Sequence, residues 1–232
     1  MTSLTWKAVW EARQLDASRS SPLAQLLAAD GMDTGFGSVG EQAWSRYVVE
    51  TARTIGIEPG CSVFEVGCGA GAWLYELDCM GCQVAGLDGS AALIGYAQQH
   101  LPRGQWTVGD AADLDPQPSY DFVVSSGVFL YFPSLDYARA VLERMVQKAR
   151  TGLLILDVPD HACRDAALAE RIRIGGDGYN LRYDGLDHLY YERSWFQEAL
   201  ASLGIRRTVV RDQSIDGYIN GHYRFNVFAW LE

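Results

Sequence analysis

Basic residues are scarce in this chain of 232 residues: 19 lysines and arginines stand against 29 aspartates and glutamates, a formal net charge of −10. A surface that coats DNA or RNA needs the opposite balance, because clustered Lys and Arg must neutralise phosphates, so nucleic acid is not an expected partner. No apolar run approaches the roughly 20 residues of a membrane span. Met1 to Lys7 shows no basic region leading into a long apolar stretch, which predicts neither a signal peptide nor a membrane partner. The five cysteines are odd in number and follow no framework, which excludes a disulfide scaffold and suits a reducing, cytoplasmic setting. Cys79-Met80-Gly81-Cys82 has the form C-x-x-C, but no second pair accompanies it, so packing is its expected role and no metal site is expected. The dinucleotide fingerprint G-x-G-x-x-G is absent as well, which disfavours a nicotinamide-dependent oxidoreductase.

What is present is a strand, a glycine-rich turn and a helix in sequence. Val63 to Val66 is apolar and β-branched around one acid, Glu65, and Gly67, Gly69 and Gly71 follow at alternate positions. Glycines allow a tight turn and a close backbone approach, and a helix expected over Ala70 to Leu77 would aim its free N–H groups at whatever the turn holds. Strands are expected at Val84–Asp88, Gln105–Val108, Asp121–Ser125, Gly152–Asp157, Ile205–Arg211 and Phe225–Leu231. Between them, Ser90, Ser134 and Ser194 are the expected helix N-caps. Leu153 to Leu156 reads as a strand buried on both faces.

With 48% hydrophobic residues, one domain over 1–232 is the simplest account. It comprises a helical cap over 1–50, a core over 60–160, an excursion over 158–190, and a final helix and strand pair over 194–232. The cap carries Trp6, Val9, Trp10, Trp44, Tyr47 and Val48 on apolar faces. Both it and the excursion are expected above the carboxyl ends of the strands, where open α/β sheets bind ligands. Gly175-Gly176-Asp177-Gly178 is the expected hinge of a lid.

The segment Glu65-Val66-Gly67-Cys68-Gly69-Ala70-Gly71 resembles motif I of the class I S-adenosylmethionine-dependent methyltransferases. Asp88 ends the second strand at about the 20-residue interval expected of a ribose-binding acid. Gly109-Asp110-Ala111 resembles the family's adenine-binding G-D-A segment, and Asp121 to Phe132 resembles motif IV with its following loop. The resemblance covers about residues 60–160. It implies a Rossmann-like α/β fold with a seven-stranded sheet of order 3-2-1-4-5-7-6, strand seven antiparallel, and S-adenosylmethionine as cofactor, with S-adenosylhomocysteine as product. It further implies cofactor contacts from Glu65, Gly67, Cys68, Gly69, Gly71, Asp88, Gly89, Ser90, Asp110, Ala111, Ser125 and Ser126.

In this family the protein aligns a nucleophile with the methyl–sulfur bond and excludes water; a protonated acceptor also needs a base. Candidates for that role are His161, His188 and His222, on segments able to overhang the site, and Tyr131, just after motif IV. His100, at the end of a surface helix beside Pro102, is expected to be solvated or capping. Arg171, Arg173, Arg182 and Arg193 are of the type that clamps an acceptor carboxylate or phosphate, although salt bridges within a lid are the ordinary use of such residues. The acidic charge points to a small-molecule acceptor, and general resemblance to a secondary metabolite. The alternatives are a carrier-bound or macromolecular acceptor and a non-catalytic S-adenosylmethionine-binding module.

Overall fold

Alternation along one strand explains how the layers assemble. In the fifth strand, Leu154 and Leu156 join one core while Leu153 and Ile155 join the other, so a continuous apolar run feeds both faces of the sheet. The structure is a computed structural model and describes residues 5–33, 37–176 and 186–231. Thr34 to Phe36, Asp177 and Gly178 of the expected hinge, and Arg182 lie outside the described residues.

Seven strands form one sheet: β1 (Ser62–Val66), β2 (Gln83–Asp88), β3 (Gln105–Val108), β4 (Tyr120–Ser126), β5 (Ala149–Pro159), β6 (Arg207–Asp212) and β7 (Arg224–Trp230). Their order is β3-β2-β1-β4-β5-β7-β6. β7 runs antiparallel to both β5 and β6, and the other pairs are parallel. This is the Rossmann-like sheet that the motif resemblance implied. β5 extends beyond the expected 152–157 at both ends, because its edges are paired with β4 and β7 there.

One face is covered by α2 (Pro22–Ala29), α3 (Glu41–Ile55), α4 (Ala72–Cys79) and α5 (Ala91–His100). The other is covered by α6 (Leu135–Lys148) and α8 (Arg193–Ser202). Two more helices, α1 (Trp6–Glu11) and α7 (Arg164–Gly175), belong to the cap and to the excursion after β5. No helix among the described residues is long and apolar enough to cross a membrane.

Ser90 and Ser134 cap α5 and α6, accepting from the amides of Leu93 and Tyr137. Two expected helix starts are corrected. α4 begins at Ala72, not Ala70, because Gly71 at φ 91° keeps the chain in the turn for two more residues. α8 is preceded by Glu192 as N-cap and already contains Ser194, with no side-chain cap bond. His100 is tied inside the fold, its ring nitrogens lying 2.9 Å from Tyr96 O and 3.2 Å from Gln25 Oε1.

Directly beneath the glycine turn, the fully buried Ser125 hydroxyl donates to Val66 O at 2.9 Å and pins β4 to β1. The expected cofactor contact is thus a strand tie instead. Ser125→Ala should lower unfolding free energy by about 1 kcal/mol, read from urea denaturation. Unchanged stability would show that the tie contributes nothing.

Candidate active site

The carboxyl ends of β1, β2 and β4 open into a cavity of about 630 Å³, closed from above by α1, α7 and residues around His188. Its wall includes Glu65, Gly67, Cys68, Gly69, Asp88, Gly89, Ser90, Asp110, Ala111, Ser126, Tyr131 and His188, twelve of the sixteen residues expected at the site.

The glycine turn is packed against the protein itself. Gly67 has φ +74°, and a Cβ there would meet the Val128 side chain at 2.4 Å. Gly69 has φ +54°, and its Cβ would meet Asp30 Oδ1 at 2.2 Å. Each position therefore demands glycine twice, for backbone conformation and for space. Asp30, which ends α2, accepts from Ala70 N at 2.6 Å and Ala72 N at 3.0 Å, satisfying donors at the start of α4.

Three carboxylates surround this turn. Asp88 accepts from Gly69 N and Ser90 N through its two oxygens, at 2.9 and 2.8 Å. Glu65 is buried, and its Oε2 has no hydrogen-bond partner. Burial raises the carboxyl pKa of all three, and repulsion adds to it at Asp30, from Asp88, and at Glu65, from Asp30 and Asp88; Glu65 is pushed well above the ordinary range and Asp30 up to about 7. The Cys68 thiol is pushed up for the same reasons. Asp110, on the outer rim, accepts from Ala112 N at 2.9 Å and from the Tyr137 hydroxyl.

The opposite half is aromatic and basic. Trp6 lies 4.7 Å from Tyr131 and 4.9 Å from His188, ring centre to ring centre, and Trp10 lies 5.5 Å from Tyr131. The capping segments therefore meet over the cavity. His188 Nδ1 is 2.5 Å from a terminal nitrogen of Arg171. At the end of β5, a register shift between Ile155 and Val158 brackets Asp157, which has φ 59°, rare for a non-glycine residue. Its carboxylate binds Arg224 and Tyr218, each at 3.0 Å, and Gln213 at 3.1 Å.

Residues 63–152 match the family model described as a methyltransferase domain. The match runs from β1 into β5, the stretch that carries the glycine turn. Magnesium-protoporphyrin O-methyltransferase of Rhodobacter capsulatus is 36% identical over 108 residues, 44% of this chain and 47% of that protein. Trans-aconitate 2-methyltransferase of Delftia acidovorans is 27% identical over 130 residues, 50% of this chain and 45% of the relative. The chain spans about half the length of the curated relatives it matches. Among solved structures, magnesium protoporphyrin IX methyltransferase from Synechocystis PCC 6803 superposes with a TM-score of 0.61 at 21% identity, covering 82% of this chain and 84% of that one. An amino pentose methyltransferase from Micromonospora echinaspora gives 0.64 at 14% identity, covering 94% and 99%. The structural likenesses carry the fold.

Four expected site residues stand outside the cavity wall. Gly71 turns into a packed position where a Cβ would meet Leu101, and Ser125 is the strand tie described above. His161 faces solvent and pairs with Glu192 at 2.7 Å. His222 is exposed on the turn before β7. Neither His161 nor His222 is brought to the aromatic half, since the excursion and the segment from β6 to the start of β7 turn other residues inward. Those are Arg171, Tyr218, Asn220 and Arg224.

Sequence reading passed over Asp30, Asp157 and Arg224. Asp30-Gly31 marks a helix stop, but nothing local says that its carboxylate lands on residues 70 and 72. Asp157 was visible only as the last residue of an expected strand.

Asp30 holds its proton to higher pH when folded than when unfolded. Its stabilising contribution is therefore complete below about pH 4 and is lost as pH rises through about 7. Relative to Asp30→Asn, the parent protein should lose about 2–3 kcal/mol of unfolding free energy between roughly pH 5 and pH 7. A pH-independent difference in urea titrations would show that Asp30 titrates normally.

Proposed function

We propose that the chain transfers a methyl group from S-adenosylmethionine to a small-molecule acceptor, a secondary metabolite in our reading. The observation that carries this is the acid-rich glycine turn, where Glu65 Oε2 is buried and unpartnered in the wall of a cavity with two chemically different halves. Buried carboxylates that repel one another are relieved by a cationic ligand, and S-adenosylmethionine carries both a sulfonium and an ammonium. The residues present fit it. Gly67 and Gly69 would give the backbone approach, Asp88 the ribose contact, Asp110 with Ala111 the adenine contact, and Glu65 an acceptor for the amino group.

When bound, the cofactor supplies an electrophilic methyl on a positively charged sulfur. The chain's part is orientation and exclusion of water. Trp6, Trp10 and Tyr131 form the aromatic cover, keeping solvent from the acceptor half. Arg171 is always a donor, so His188 Nδ1 accepts from it. Burial, with Arg171 and Arg224 nearby, pushes the His188 pKa well below the ordinary value, so the ring is neutral and its proton sits on Nε2. Tyr131 is pushed up to about 12, again mainly by burial. Neither group is poised to take a proton near neutral pH. This supports transfer by alignment to an acceptor atom that is already nucleophilic.

The small-molecule assignment is supported by the curated relatives, named for magnesium-protoporphyrin, trans-aconitate and ubiquinone biosynthesis. Calorimetry should show S-adenosylmethionine binding that weakens by about 1–3 kcal/mol in Asp88→Ala, with circular dichroism confirming that the variant is folded. Affinity in the parent protein should rise with pH through about 7, as Asp30 ionises beside the cation. Unchanged affinity in the variant, or no binding by the parent, would overturn the assignment.

A further inference from the structure

Among the described residues, four cationic side chains line the cavity, and three of them are already paired. Lys7 meets Glu11 at 3.8 Å, Arg13 meets Asp33 at 3.4 Å, and Arg224 meets Asp157 at 3.0 Å. The fourth is Arg171 on α7, only 4% exposed. One terminal nitrogen lies 2.5 Å from His188 Nδ1 and donates to the Tyr190 hydroxyl at 3.3 Å. Its Nε is buried with no partner, and none of the ion pairs among the described residues involves it. Its neighbours in sequence differ. Arg173 is exposed and joined to Glu170, while Arg193 bridges Asp160 and Asp212.

A buried guanidinium without a counter-charge is costly, because neither water nor a carboxylate replaces its lost hydration. Here the polar neighbours hold one side of the planar fork, and no carboxylate among the described residues offsets the charge. A carboxylate matches such a fork with two parallel hydrogen bonds. One unbalanced positive charge suits a monoanion. The second charge of a phosphate would instead add to the acidity already present at Asp30, Glu65 and Asp88. The rings beside Arg171 offer an apolar surface to the rest of the molecule, since Tyr131 lies 5.6 Å from His188 and Trp6 stacks on that imidazole at 4.9 Å.

We propose that Arg171 anchors a carboxylate of the acceptor, so that the acceptor is a small organic acid whose body lies against Trp6, Tyr131 and His188. This rests on the methyl-transfer reading for assigning the aromatic half of the cavity to the acceptor. The carboxylate is the handle by which the acid is held; which of its atoms receives the methyl group is a separate matter.

The test is calorimetry on the protein saturated with S-adenosylhomocysteine. It is titrated with benzoate, indole-3-acetate and octanoate, with the amide of each, and with phenyl phosphate. At least one acid should bind roughly 10- to 100-fold more tightly than its amide, and more tightly than phenyl phosphate. Arg171→Met should erase that preference, and Arg171→Lys should keep part of it, with S-adenosylhomocysteine affinity within about twofold of the parent in both. Should Arg171→Met not fold, the partial loss in Arg171→Lys decides the same point. Acids and amides binding alike, or not at all, would overturn the proposal. So would phenyl phosphate binding best, which indicates a phosphorylated acceptor. Loss of S-adenosylhomocysteine affinity with acid binding intact would overturn it too, by giving Arg171 to the cofactor's own carboxylate. Failure of the parent protein to bind S-adenosylhomocysteine would strike the methyl-transfer reading instead.

Discussion

The contact between Asp30 and the start of α4 is the constraint on which the site depends. Its two carboxylate oxygens accept from Ala70 and Ala72, fixing the turn between β1 and α4. Asp88 accepts from Gly69 within the same turn. Two acids therefore hold a few residues of backbone whose glycines cannot carry side chains. The consequence is electrostatic. Those carboxyl groups, with Glu65 beneath them, hold their protons to higher pH because burial makes negative charge expensive there, and a cationic ligand is what favours their ionised forms.

That arrangement couples the cap to the core. Asp30 belongs to the N-terminal helical segment, and Trp6 and Trp10 from the same segment pack on Tyr131 beyond β4. The segment that shapes the glycine turn thus also roofs the opposite half of the cavity. There the sign reverses: Arg171 and Arg224 are buried, Asp157 neutralises Arg224, and Arg171 has no carboxylate partner among the described residues. One cavity holds an acid-rich end suited to a cation and an aromatic, basic end suited to an anion. Such polarity orients two ligands without any group that must shuttle a proton.

Much of the fold could be read directly from the chain, for physical reasons. Val63 to Val66 and Leu153 to Leu156 are local patterns, and Ser90 and Ser134 cap helices through bonds three residues away. Gly71 and Ser194 misled by a residue or two, because helix starts depend on dihedral angles that a glycine leaves free. At the site, Asp88 was expected from its spacing, and Glu65 and Asp110 from the motifs they resemble; all three line the cavity. Those brought in from elsewhere were not expected. Asp30 reaches residue 70 across 40 positions, and Arg224 reaches Asp157 across 67. His161 and His222 have the right chemistry at the right end of the sheet. Whether a loop residue faces inward, however, is decided by packing that no local pattern encodes.

The central claim is that the Gly67–Gly71 turn and its surrounding acids form the cofactor cradle. A crystal structure with S-adenosylhomocysteine tests it most directly. The account predicts the ligand along the turn, with its ribose hydroxyls on Asp88, its amino group toward Glu65, and Arg171 left free at the far end of the cavity. Density for the ligand elsewhere on the protein would contradict it, as would a ligand whose carboxylate sits on Arg171.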